Sequence, residues 1–178
     1  MLKSLFLACC LFPLFLSDAL AQNNEVSLTV GGGSFTDGDK SVAASAFTVA
    51  YTRTIFKGLA VEGSWDGFFV RTPNLGSDGY EAFQIGAAYN FRSNAASRRI
   101  IPYISAGVGK VTTDFTEIPA EVVYRFGGGA KYYFKENSGW GIRVELRDEI
   151  TSRGLQNYPL KGSRLSLVSL RAGVTYRF

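Results

Sequence analysis

Apolar and polar positions alternate along most of this chain. Near its end Leu170, Ala172, Val174, Tyr176 and Phe178 share one face, while Arg171, Gly173, Thr175 and Arg177 share the other. Trp140, Ile142, Val144 and Leu146 alternate in the same way with Gly141, Arg143, Glu145 and Arg147, and Tyr124, Phe126, Ala130, Tyr132 and Phe134 with Arg125, Gly127, Gly129 and Lys131. Further upstream, Leu59, Val61 and Trp65 oppose Ala60, Glu62, Ser64 and Asp66, and Phe83, Ile85, Ala87, Tyr89 and Phe91 oppose Gln84, Gly86, Ala88 and Asn90. A period of two marks β-strands. Breaks rich in Gly, Asn, Asp and Ser divide the chain into eight expected strands, over 25–33, 44–54, 59–69, 79–91, 101–112, 122–134, 140–147 and 164–178. No segment sustains a helical period, and no linker suggests a second domain.

Two architectures produce such alternation. A soluble sandwich or lipocalin-like barrel turns the apolar face inward and the polar face to water. A membrane barrel inverts this, with the apolar face on lipid and the polar face in the lumen. Three features favour inversion. The polar faces are rich in Gly, Ala, Ser and Thr, which suit a cramped interior. The apolar faces carry aromatics towards the strand ends, with Tyr51, Tyr89, Phe91, Phe134, Trp140, Tyr176 and Phe178 at one rim and Phe47, Trp65, Phe83 and Tyr124 nearer the other. The segments are also long enough to cross a bilayer at a tilt of about 35–45°.

Composition narrows the chemistry. The chain has 178 residues and no histidine, which removes Ser-His-Asp and Cys-His hydrolases and histidine-ligated metals together. A mean hydropathy of +0.05 is too low for a bundle of membrane helices. The net charge of +4 comes without a Lys/Arg block, so nucleic acid is not an expected partner. The triple-glycine runs 31–33 and 127–129 read as strand positions that relieve crowding in the lumen, not as phosphate loops. Gly107-Val108-Gly109-Lys110 lacks the first Gly and the final Ser/Thr of a P-loop.

The first 21 residues read as a cleaved signal peptide. Lys3 gives a positive n-region, residues 5–16 an apolar stretch, and Ala19-Leu20-Ala21 a small-x-small site. Cleavage there carries off Cys9 and Cys10 and leaves a thiol-free mature domain of residues 22–178. The Leu7-Ala8-Cys9 run imitates a lipobox, but cleavage at it would leave apolar residues exposed behind Cys10. Export across the inner membrane of a Gram-negative bacterium is the expectation.

From about residue 25 to Phe178 the chain resembles the small eight-stranded outer-membrane barrels, the OmpA transmembrane-domain, OmpX and opacity-protein group. The residues that carry the likeness are Ile101-Pro102-Tyr103-Ile104-Ser105-Ala106-Gly107-Val108-Gly109, Gly127-Gly128-Gly129-Ala130-Lys131-Tyr132-Tyr133 and the ending Arg171-Ala172-Gly173-Val174-Thr175-Tyr176-Arg177-Phe178. The resemblance implies an all-β fold, an eight-stranded antiparallel up-and-down transmembrane β-barrel in the cell outer membrane, without the peptidoglycan-binding domain of full OmpA. It also implies that Phe178, Tyr176 and Val174 form part of the signal read by the barrel-assembly machinery. Enzymes of similar barrel size, the lipid A deacylases and palmitoyltransferases, rely on a catalytic histidine that this chain lacks, so no enzyme, catalytic residue, metal or cofactor is expected.

Parity turns Glu62, Asp66, Arg125, Lys131, Arg143, Glu145, Arg147, Arg171 and Arg177 into the lumen. The interior of an eight-stranded barrel is just wide enough for side chains to fill, so these charges must pair there. Six bases against three acids leave an excess expected at the wet ends. The adopted reading is a closed polar plug in a barrel with a structural or surface-interaction role; the alternative is a small pore for ions or small solutes. External loops are expected over 34–43, 70–78, 113–121 and 148–163, and short periplasmic turns over 56–58, 92–99 and 135–139. Phe68, Phe69 and Val70 are placed at the start of one loop and Leu155, Tyr158 and Leu160 in the longest, as possible contacts for an external ligand. Arg153, Lys161 and Arg164 are candidates for lipopolysaccharide phosphates. Outer-membrane lipid is the remaining expected partner, around a monomer.

Overall fold

A computed structural model describes residues 24–37, 40–72, 76–91, 99–113, 121–134, 139–151 and 166–178. Eight antiparallel strands, β1 (Asn24–Asp37), β2 (Lys40–Phe56), β3 (Leu59–Thr72), β4 (Gly76–Asn90), β5 (Ile100–Thr113), β6 (Glu121–Tyr133), β7 (Trp140–Thr151) and β8 (Ser166–Arg177), pair in chain order and close into a barrel. The ring is sealed where β1 meets β8, with Asn24 N and Phe178 N each donating to the other's carbonyl at 3.2 and 2.9 Å. Following paired residues round the ring from Val26 through Tyr51, Gly63, Ile85, Val108, Tyr124, Ile150 and Ser166 returns to β1 at Thr36. That stagger of ten residues is what tilts the strands. A row followed from β1 towards β8 therefore climbs away from the end that holds both termini.

The expected strands stop short at the far end. β1 and β2 stay paired out to Asp37 opposite Lys40, and β3 and β4 out to Thr72 opposite Gly76, so most of the expected loops 34–43 and 70–78 is hairpin. β7 runs on to Thr151 instead of ending at Arg147. In each case hydrogen-bonded pairing carries the alternation past polar and glycine residues that read as breaks. At the near end Phe56, Lys57 and Gly58 make the tight turn between β2 and β3, with positive φ at Lys57 (37°) and Gly58 (96°). A Cβ on Gly58 would stand 2.4 Å from the Asn90 carbonyl oxygen, so glycine is required both for the backbone angle and for the space.

The outer surface exposes Leu28, Val30, Ile85, Ile104, Leu146, Leu170 and their outward neighbours, apolar side chains that a water-soluble surface would hide. Aromatics gather at the two edges of this belt. Tyr89 packs on Phe91, Tyr132 on Phe134, and Trp140 on Tyr176, which stacks in turn on Phe178; towards the other edge Trp65 contacts Phe47 and Phe83. An apolar belt between aromatic girdles is the surface of a barrel that spans a bilayer. The end with both termini is the periplasmic one by the usual disposition of such barrels; the end of β7 and the start of β8, between which the longest interval of sequence falls, lie at the other.

Candidate functional site

The lumen holds the chemistry, in layers along the barrel axis. Near the periplasmic end Glu25 of β1 accepts hydrogen bonds from Lys131 Nζ (2.9 Å) and the Tyr133 hydroxyl (2.8 Å), and the Arg177 guanidinium lies 4.4 Å over the Tyr133 ring. Above them Arg143 donates to Glu62 (2.9 Å), Glu145 (2.7 Å), the Tyr103 hydroxyl (2.7 Å) and Ser27 Oγ (3.2 Å). Tyr103 donates to Glu145 at 2.7 Å, and its ring carries Lys131 Nζ at 5.1 Å and Arg143 at 4.8 Å, so one aromatic side chain serves two cations.

The middle of the lumen is joined across its width. Glu62 also pairs with Arg125 at 3.0 Å and accepts from Thr52 Oγ1 at 3.0 Å. Arg147 bridges Glu145 (2.8 Å) and Asp66 (2.6 Å). Asp66 is the hub, accepting from Thr48, Ser64, Gln84, Arg147 and Arg171 at 2.6–3.1 Å. Arg171 also pairs with Glu149, which accepts a 2.7 Å bond from Gln84. Asp66 and Arg125 are fully buried, and their partners in this network nearly so. Carboxylates and guanidiniums at this depth lose their hydration, and the multiple charge-assisted bonds are what offset that cost.

Glycines shape the room. The guanidinium of Arg125 lies against β4 and β5 where a Cβ on Gly107 would stand 3.1–3.2 Å from its Nη2 and Nε, and one on Gly86 2.8 Å from Nη2. A side chain at either position would press on the arginine that holds Glu62.

Above the ions the extracellular end of the lumen is apolar. Phe35, Phe68, Val70, Tyr80, Val111, Val123 and Leu167 form a buried cluster, with Phe35 edge-on to Phe68 at 6.1 Å. Arg171 joins the two layers, its guanidinium 5.4 Å from the Phe68 ring.

These placements correct several expectations. Phe68 and Val70 are not loop residues: both lie in β3 and point into the lumen, 4% and 3% exposed, because the alternation of β3 runs on to Thr72. Phe69, between them, is in the same strand and faces outward, stacked on Phe47. Tyr158, Leu155, Leu160, Arg153, Lys161 and Arg164 lie outside the described residues, as does the expected signal peptide. The structure brings Glu62, Asp66, Arg125, Arg143, Glu145, Arg147 and Arg171 into one connected network, with Lys131 in the neighbouring layer.

Glu25, Glu149 and Tyr103 were missed by sequence reasoning. With Glu25 and Glu149 counted, five buried carboxylates face five buried cations among the described residues, and Arg177, the sixth inward base, stands half-buried at the periplasmic mouth. A signal existed for Glu25, since Glu25, Ser27 and Thr29 alternate with Val26, Leu28 and Val30. Glu149 continues the inward row of Glu145 and Arg147, but Asp148 on the outward face disguises the strand as a loop. Among the described residues no group of three metal-ligating side chains is gathered.

A closed antiparallel barrel with a lipid-facing belt and a side-chain-filled polar lumen defines the class: a small eight-stranded membrane-spanning barrel of the outer-membrane kind. No family model and no curated protein sequence matches the chain. Solved structures do. The Neisserial surface protein NspA superimposes with a TM-score of 0.72 over 89% of this chain and 99% of its own, at 12% identity. The outer membrane enzyme PagL does so with 0.54 over 86% and 99%, at 19% identity, and the outer membrane protein OprG from Pseudomonas aeruginosa with 0.50 over 89% and 97%, at 12% identity. Likeness at such identity is likeness of fold. The fold and the apolar belt place the chain in the bacterial outer membrane.

Proposed function

We propose that this protein is a non-enzymatic outer-membrane barrel with a structural or surface-interaction role, its lumen closed to ions and solutes. One observation carries this reading. Glu62 and Asp66 of β3 are tied to Arg143 and Arg147 of β7, the strand four places away in a ring of eight, so ion pairs run from wall to opposite wall. A chain of buried bonds across the width supports a lumen without a continuous water column, and the apolar cluster above it would add a second barrier. The lack of any histidine supports a non-enzymatic role, although PagL shows that this fold also carries enzymes. The surface role accords with NspA, by name a surface protein.

Conductance in planar bilayers is the test. The folded barrel should give no steady current of porin size, and a steady current would instead make the chain a small pore.

A further inference from the structure

The net charge of +4 is not spread evenly over the barrel. The buried lumen contributes five cations and five carboxylates, hence nothing. Among the described residues, the periplasmic end presents Arg53, Lys57, Arg99 and Arg177 outside the buried set, and its acid, Glu25, is turned inward onto Lys131. The strand ends at the opposite side carry Lys40, Arg71 and Lys110 against Asp37, Asp78, Glu81, Glu121 and Asp148. Three of the periplasmic bases sit where the lipid-facing surface stops. Arg53 pairs in register with Val61, whose side chain is exposed to lipid. Lys57 follows Ile55 and Phe56, both exposed, with its ammonium 5.2 Å over the Phe56 ring. Arg99 immediately precedes the exposed Ile100. Tyr89 on β4, the strand between them, and Phe91 just past its end supply the aromatic edge of the belt.

We propose that Arg53, Lys57 and Arg99 form a basic arc that docks the headgroups of anionic phospholipids in the periplasmic leaflet. The occupant follows from continuity with the belt. A long cationic side chain next to groups that must lie in hydrocarbon extends to the phosphate level of the same leaflet. A soluble polyanion would have no use for Ile55, Phe56 and Ile100 beside its cations. Among the described residues the opposite end carries more acids than bases. Arg177, stacked on Tyr133 inside the mouth, is not part of the arc.

The test uses tryptophan quenching in vesicles of phosphatidylcholine containing a minor fraction of brominated lipid. The chain has two tryptophans, Trp65 and Trp140. In one barrel Trp65→Phe leaves Trp140 as a reporter on β7, away from the arc; in a second, Trp65→Phe and Trp140→Phe with Tyr89→Trp set a reporter beside it. Brominated phosphatidylglycerol should quench the reporter at position 89 more strongly than brominated phosphatidylcholine at equal mole fraction, and Trp140 about equally with either. The preference should fall with rising salt in the unsubstituted arc, a readout that needs no charge variant, and by about fivefold for each cation removed through Arg53→Gln, Lys57→Gln and Arg99→Gln. Equal quenching by the two lipids at position 89 overturns the proposal. So does a preference that ignores salt or survives the triple substitution, and so does a triple variant that keeps its lipid preference but no longer sediments with purified peptidoglycan.

Discussion

Arg147 of β7 reaches across the lumen to Asp66 of β3, its Nη1 2.6 Å from Oδ1, and so ties together strands that face each other in the ring. Arg171 of β8 meets the same carboxylate oxygen at 2.8 Å. Two guanidiniums from neighbouring strands thus depend on one fully buried acid, which three neutral donors also hold.

Asp66→Ala should therefore destabilise the barrel by about 3–5 kcal/mol, because it strands buried charge that has no water to return to. Urea unfolding of detergent-refolded protein measures this. The double variant with Arg147→Ala should cost less than the sum of the singles, since it also removes one of the stranded cations. Additive costs would mean that the two residues do not act as a pair.

Glu145→Ala is expected to cost a similar amount, as Arg143, Arg147 and the Tyr103 hydroxyl all converge on that carboxylate. Unchanged urea stability would contradict the buried network, and the same variant in planar bilayers shows whether loss of one acid opens a current.

Gly107→Ala adds a single methyl group to the wall against which Arg125 lies. Overpacking of this kind costs about 1–3 kcal/mol, and here it should act through Arg125 and Glu62. In an Arg125→Ala background most of the added cost should vanish. A penalty that persists there would assign it to the Ile85 carbonyl, 3.0 Å from the same position.

Phe68 and Phe69 are adjacent in sequence and opposite in fate. Phe68→Ala should cost about 3–5 kcal/mol by opening a cavity in the apolar layer, whereas Phe69→Ala, at the lipid-facing surface, should cost less than half of that. Equal and negligible effects in urea unfolding would return both residues to a loop.

Phe178 stands in the periplasmic aromatic girdle, stacked on Tyr176 at 6.0 Å. A role in the signal for barrel assembly, which the resemblance implies, has a test: deletion of Phe178 should then lower the amount of folded barrel in the outer membrane far more than the stability of barrels refolded in detergent. Equal losses in the two settings would make the residue structural only. Val174→Asp should damage both, because that side chain faces lipid.

Alternation, with the polar breaks between segments, determined the strand number and most of the side chains that enter the lumen, and the aromatic edges and small polar-face residues separated a membrane barrel from a soluble one. Period-two parity is local, and a filled lumen leaves an inward residue nowhere else to go, so Glu62, Arg125 and Arg143 could be assigned inward from their neighbours in sequence. Strand ends were less legible, because what extends β3 to Thr72 and β7 to Thr151 is pairing with the adjacent strand, and neither residue advertises it. Partners were not legible at all. Asp66 finds Arg147 some 81 residues away only because a stagger of ten residues brings those two positions to nearby heights on opposite walls. Tyr103, Glu25 and Glu149 take their places in the network for the same reason. Sequence decides which face a residue joins, through the geometry of its own strand, and closure of the ring decides what it meets there.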